Sequence, residues 1–221
     1  MSLDGSEDAR RNILSRIRKG LGRGVHASPA ELQSLDAWMA ARPRGPLRPV
    51  EGELIDVFRA RAEAMQSTTA RVATLAQAPV ETARYLAALG LSVTGCVWPS
   101  LAHLDWAGNG IRVEARVAVD ADGVGVSGAY AAIAETGTLM VASGPDTPAS
   151  VSLLPETHIA IVEARRIVPH MEDAWALLRR EPGAPPRAVN FISGPSRTGD
   201  IEQTIVLGAH GPFRVHLIIV G

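Results

Sequence analysis

Apolar residues recur at helical spacing through the first third of the chain, and short apolar runs dominate the rest. Residues 4–21 place Ile13, Leu14, Ile17 and Leu21 on one side, which predicts an amphipathic helix closed by glycines. Ser28-Pro29 opens a second short helix running to Ala40, with proline at its first position. Three prolines and a glycine between Arg42 and Pro49 read as a linker. Residues 53–76 carry Leu54, Val57, Phe58 and Met65 on one side and predict a long helix. Pro79 starts another helix that ends near Gly90. Strand-like runs follow at 91–97, 111–119, 138–142, 159–162, 189–192 and 215–220, with a helix at 170–180 between the fourth and fifth. Strands alternating with helices predict an α/β fold: a largely parallel sheet with helices on both faces. The expected division is a helical N-terminal arm and linker, residues 1–50, and an α/β core, residues 51–221.

A chain of 221 residues buries enough surface to need no disulfide or metal staple. Net charge is −1, so no global basic field speaks for nucleic acid. The basic residues that do cluster, Arg10, Arg11, Arg16, Arg18, Lys19 and Arg23, read as a solvated helix face or as a docking face for an acidic partner. The single cysteine, Cys96, sits in an apolar run and reads as a core residue. One cysteine cannot hold an iron–sulfur cluster. The N-terminus is polar and acidic, and no apolar run approaches the ~20 residues that span a bilayer. The expected location is cytoplasmic, without membrane attachment.

The densest candidate chemistry lies near the C-terminus. An apolar run ends at Ser193, a loop of small residues with one arginine follows, and Asp200 stands where a helix N-cap belongs, ahead of Ile201, Ile205 and Val206. Free amides and the positive end of a helix dipole would converge there. Ser193, Gly194, Ser196, Arg197 and Thr198 would line an anion pocket, Arg197 adding a planar fork for carboxylate or phosphate. The competing reading is a capped strand–helix junction in which Arg197 pairs with Asp200 or Glu202. His210 could complete the wall. A second group is Glu135-Thr136-Gly137-Thr138, at the end of a short alanine-rich helix and just before a buried strand. Burial there would raise the carboxyl pKa and suit Glu135 to general acid or base work; alternatively it fixes the loop through Thr136, Thr138 or Arg197. Ligand sites of parallel sheets lie beyond the strand carboxyl ends, which would bring loops 143–150 and 193–200 together.

Gly123-Val124-Gly125-Val126-Ser127-Gly128 matches GxGxxG, with Asp146 about twenty residues on. Turn-forming Asp120 to Asp122, a short following apolar stretch and two interleaved valines favour a strand over a dinucleotide loop. His158 and His216 read as structural. No metal-ligand spacing and no GxSxG nucleophile elbow occur.

The run Ile192–Pro212, ISGPSRTGDIEQTIVLGAHGP, together with AAIAETGTL at 131–139, Leu153-Leu154-Pro155 and His158-Ile159, resembles the LUD-domain family. The resemblance covers roughly residues 57–221. It implies a fold like the sugar-phosphate isomerase and CoA-transferase superfamily. It also implies a bacterial cytoplasmic component of L-lactate utilization, the oxidation of L-lactate to pyruvate. Two partner proteins would carry the iron–sulfur clusters, with no cofactor on this chain. A small carboxylate or phosphorylated ligand is the expected occupant of the pocket. A stand-alone acyl-transfer, isomerase or ligase-type enzyme and a non-catalytic assembly subunit remain the alternatives.

Overall fold

The computed structural model describes residues 4–181, 183, 185–198, 206–208 and 210–221. The chain divides into two compact units, residues 1–47 and 48–221. The first holds two helices, α1 (Asp4–Gly20) and α2 (Pro29–Ala41). Helix α2 opens on a capping box: Glu31 N–H donates to Ser28 Oγ, and Ser28 N–H donates to the Glu31 carboxylate. Arg42, in the left-handed region, closes it.

The second unit is built on a six-stranded parallel sheet in the order β1-β12-β7-β4-β2-β3. Its strands are β1 (Thr68–Val72), β2 (Thr94–Val97), β3 (Arg112–Ala115), β4 (Val124–Gly128), β7 (Thr157–Glu163) and β12 (Arg214–Val220). A second sheet has the order β8-β5-β6-β9 and is mostly antiparallel. It comprises β5 (Ala131–Ile133), β6 (Thr138–Ala142), β8 (Ile167–Val168) and β9 (Val189–Ile192). Helices α3 (Leu54–Ala64), α4 (Ala78–Ala88) and α5 (Met171–Arg180) complete the unit, with a two-stranded ribbon of β10 (Arg197–Thr198) and β11 (Val206–Leu207).

The runs of β4, β7 and β12 at the centre of the parallel sheet are nearly all buried because both of its faces are covered there. In the parallel sheet, His216 lies in register with Ile159 and faces α4, where it stacks on Tyr85 at 4.0 Å. The opposite face carries His158 in register with Gly125. Segment 149–155 presses so close there that a Cβ on Gly125 would lie 2.1 Å from the Val151 carbonyl oxygen. This accounts for the second glycine of the GxGxxG match: residues 124–128 form a central strand, not a phosphate loop. In the second sheet, Ala132, Leu139 and Val141 face the main core, whereas Ala131, Ile133 and Met140 face α5.

Three expectations change. Helix 53–76 stops at Ala64, because Gln66 takes a left-handed φ of 68° and the β-branched pair Thr68-Thr69 begins an edge strand. The alanine-rich stretch before Glu135 is strand β5, not a helix: Ala131, Ala132 and Ile133 are all buried, alternately toward α5 and toward the main core. The helix drawn through Val206 does not form there, since Val206 pairs antiparallel with Thr198 in the ribbon.

Candidate functional site

The hairpin of β5 and β6 turns through Ala134–Gly137. Gly137 N–H donates to the Ile133 carbonyl, and Gly137 has a φ of +67°. Strand β9 runs antiparallel to β6 with Leu139 opposite Ile192. Ser193 therefore emerges beside Thr138, although 55 residues separate them. Their hydroxyl oxygens lie 2.6 Å apart, and Thr138 Oγ1 lies 2.7 Å from Thr136 Oγ1. The result is a line of three hydroxyls, buried at Thr138 and open at Thr136 and Ser193.

The same pairing separates two loops expected to meet. Ala142 lies opposite Val189, so loop 143–150 leaves at the far end of the second sheet from Ser193. The carboxyl-end rule fails here because β6 and β9 are antiparallel strands outside the parallel sheet.

Both motif glycines abut the C-terminal end of α3. A Cβ on Gly137 would lie 2.3 Å from Ala62 N, and one on Gly194 would lie 2.0 Å from the Met65 carbonyl oxygen. Gly194 also has a φ of +76°. Arg197, exposed, donates from Nη2 to that Met65 carbonyl at 2.6 Å. A cation at a helix C-terminus is favoured by the dipole and by the unsatisfied last carbonyls. Arg197 thus joins the ribbon to α3 while standing next to Gly194 and Ser193. Ser196 is tied to the end of the motif: its N–H donates to the Pro212 carbonyl, and its own carbonyl accepts from Gly208 N–H. Thr198 pairs with Val206 in the ribbon, and His210 is exposed. Asp200, with the helix start assigned to it, lies outside the described residues.

Glu135 stands on the other side of the turn, partly exposed rather than buried. Its N–H donates to the Pro169 carbonyl at 3.0 Å, which sets it beside His170. That histidine is the residue the sequence reading missed. It caps α5: its N–H donates to the Asp173 carboxylate, its Nε2 donates to the Arg48 carbonyl at 2.8 Å, and its Nδ1 lies 3.3 Å from Asp173 Oδ2. The bond to Arg48 raises the His170 pKa most, against desolvation, with Asp173 and Glu135 adding attraction. Histidine followed three residues later by aspartate was a readable capping signal. Ser67, just beyond α3, was missed too; its buried hydroxyl has no hydrogen-bond partner among the described residues.

The turn therefore presents four kinds of group within one neighbourhood. A guanidinium and linked hydroxyls can hold an oxyanion, and a carboxylate beside a cation-prone imidazole can exchange a proton. Cys96 contributes nothing here: it is buried, and desolvation followed by the nearby Asp122 pushes its thiol up to about 12.

Comparison with known proteins gives a consistent relationship. The LUD domain family profile matches residues 5–220. Lactate utilization protein C of Exiguobacterium sp. is 32% identical over 225 residues, spanning 96% of this chain and 95% of its own length. The protein of that name from Bacillus subtilis is 36% identical over 127 residues, 56% of this chain and 53% of its own length. The match to the Bacillus licheniformis protein is 40% identical over 100 residues, 44% of this chain and 42% of its own length. Against these two Bacillus proteins the match spans about half their length or less. A crystal structure of a DUF162 family protein from Deinococcus radiodurans superposes with a TM-score of 0.57 at 24% identity, over 78% of this chain and 100% of that one. This is a likeness of fold. Among the described residues no helix is long and apolar enough to cross a membrane.

Proposed function

From the premise that the chain belongs to the LUD domain family, we propose that it is a component of L-lactate utilization. In this reading it acts in the oxidation of L-lactate to pyruvate alongside two iron–sulfur proteins, in the cytoplasm. The observation that carries the pathway is the end-to-end relationship to the Exiguobacterium lactate utilization protein C. Removing two electrons and two protons from lactate needs an acceptor; one buried thiol cannot ligate a cluster, so in this reading the electrons pass to clusters carried by the partners.

The site assigned to this chain is the junction of Thr136, Gly137 and Thr138 with Ser193, Gly194, Ser196, Arg197 and Thr198. It binds a small carboxylate. The supporting geometry is the Thr138–Ser193 contact of 2.6 Å, which joins the two motifs. Arg197 supplies the charge, and Glu135 with His170 supplies a proton-transfer pair at the same turn. Asp200 and His210 stay with the proposal as flanking members of the motif.

A second reading, a non-catalytic assembly subunit, is favoured by the Arg197–Met65 bond, because it engages the guanidinium within the fold. One experiment separates the two. A strain deleted for the gene is complemented with Ser193→Ala, Arg197→Ala or Glu135→Gln, and L-lactate binding to each purified chain is measured by calorimetry. The site reading expects lost growth on lactate from all three and lost binding from Ser193→Ala and Arg197→Ala, with circular dichroism unchanged. Full growth with no binding by any form, wild type included, would leave the assembly reading in place.

A further inference from the structure

We propose that the α1–α2 unit is a docking element for an acidic amphipathic helix of a partner protein. Ile13, Ile17, Leu21 and Val25, and then Leu32, Leu35, Trp38 and Met39, are each at least half exposed. No residue of α2 is buried. Eight large apolar side chains in so short a stretch exceed what scattered surface residues explain.

They also shape a concavity. A cavity of about 420 Å³ lies where α1 ends and α2 begins, with Leu21, Val25, Leu32 and Leu35 among its lining and Arg18 and Arg23 at its wall. That volume is in the range of grooves that accept apolar anchors.

Charge selects the occupant. From Ala9 to Ala27 there are six cations and no carboxylate. The chain holds 22 basic and 23 acidic residues, so the rest, with 16 basic against 23 acidic, is net −7. The arm's positive charge is thus concentrated along the apolar stripe of α1 and in the turn into α2. Glu31, the carboxylate in the cavity wall, is engaged with the Ser28 N–H and hydroxyl and lies 3.9 Å from Arg23, which leaves the rim basic. A second copy of this arm would bring like charges together. A bilayer offers an interfacial plane and nothing shaped to fill a concavity. A helix with leucines at i, i+3 or i+4, and i+7, flanked by glutamates, meets both requirements.

The test uses the full chain and two labelled synthetic helices of identical leucine spacing, one flanked by Glu and one by Lys. Fluorescence anisotropy should show the Glu helix binding at least about tenfold tighter than the Lys helix, with the difference shrinking as salt rises. Arg18→Glu with Arg23→Glu should invert that preference, which an unfolded arm cannot do. Leu21→Asp should weaken both helices. Indifference to helix charge, tighter binding to vesicles of anionic lipid, or a dimer by sedimentation that Leu21→Asp dissolves would each overturn the proposal.

Discussion

Replacing Gly137 by alanine should cost about 2–5 kcal/mol, and the structure divides that cost into two parts. The first is conformational: Gly137 sits at φ +67°, and a left-handed conformation costs an L-residue roughly 1–2 kcal/mol. The second is steric. The new Cβ would fall 2.3 Å from Ala62 N, 2.5 Å from Arg61 C and 2.7 Å from Ala62 Cα. All three are backbone atoms, so no side chain can rotate away and α3 itself must move. Overpacking of that kind costs about 1–3 kcal/mol. Gly110 provides the control, with φ +77° and nothing within 4 Å of a built Cβ. Gly110→Ala should therefore show the conformational part alone, about 1–2 kcal/mol. Urea unfolding of the two variants at one pH, read as midpoint shifts at constant slope, gives the difference directly. If the two substitutions agree within about 0.5 kcal/mol, the contact between the motif turn and α3 is not what selects glycine at 137.

Two further outcomes follow from buried titratable groups. Burial holds His158 and His216 down to about 4, so the folded protein keeps both rings neutral while the unfolded chain takes up protons below about 6.5. Stability is then complete above pH 6.5 and falls toward pH 4 by up to about 1.4 kcal/mol per pH unit for each ring. His158→Gln should remove one ring's share of that slope in urea unfolding between pH 7 and 5; an unchanged slope would contradict the assignment. The Cys96 thiol, raised to about 12, should react with a disulfide reagent on the order of a thousandfold more slowly in the native protein than in urea. Equal rates would mean that the thiol is reachable.

Periodicity and turn chemistry were enough to place α1, α2, α4, α5 and strands β6, β7, β9 and β12, because each carries a cap, a proline or an uninterrupted apolar run. Strand β1 was hidden because Thr68–Val72 continues the helical phase of α3, and only the left-handed Gln66 breaks it. A non-glycine residue in that conformation leaves no mark in a sequence. Ala131–Ile133 misled for a different reason: alanine favours helices, but here tertiary burial on two faces overrides propensity. The candidate site was legible as two groups of residues and illegible as one place. Its assembly depends on the antiparallel pairing of β6 with β9, a long-range contact that no local pattern encodes.

The Arg197–Met65 bond bears directly on whether Arg197 can serve a ligand. The acceptor is a neutral carbonyl at the end of a helix, on a residue that is itself exposed. A bond from a cation to such an acceptor falls toward the lower end of the 1.5–3 kcal/mol typical of bonds to charged groups, aided slightly by the α3 dipole. A carboxylate offers two charged oxygens to a planar fork, a shorter and roughly twofold stronger interaction than a neutral bond. The guanidinium carries five N–H donors, of which, among the described residues, Met65 takes one. An anion beside Ser193 and Gly194 could therefore recruit the fork without first displacing the helix contact. The cap and the binding role are compatible, and the geometry that ties α3 to the motif also holds Arg197 at the open end of the hydroxyl line.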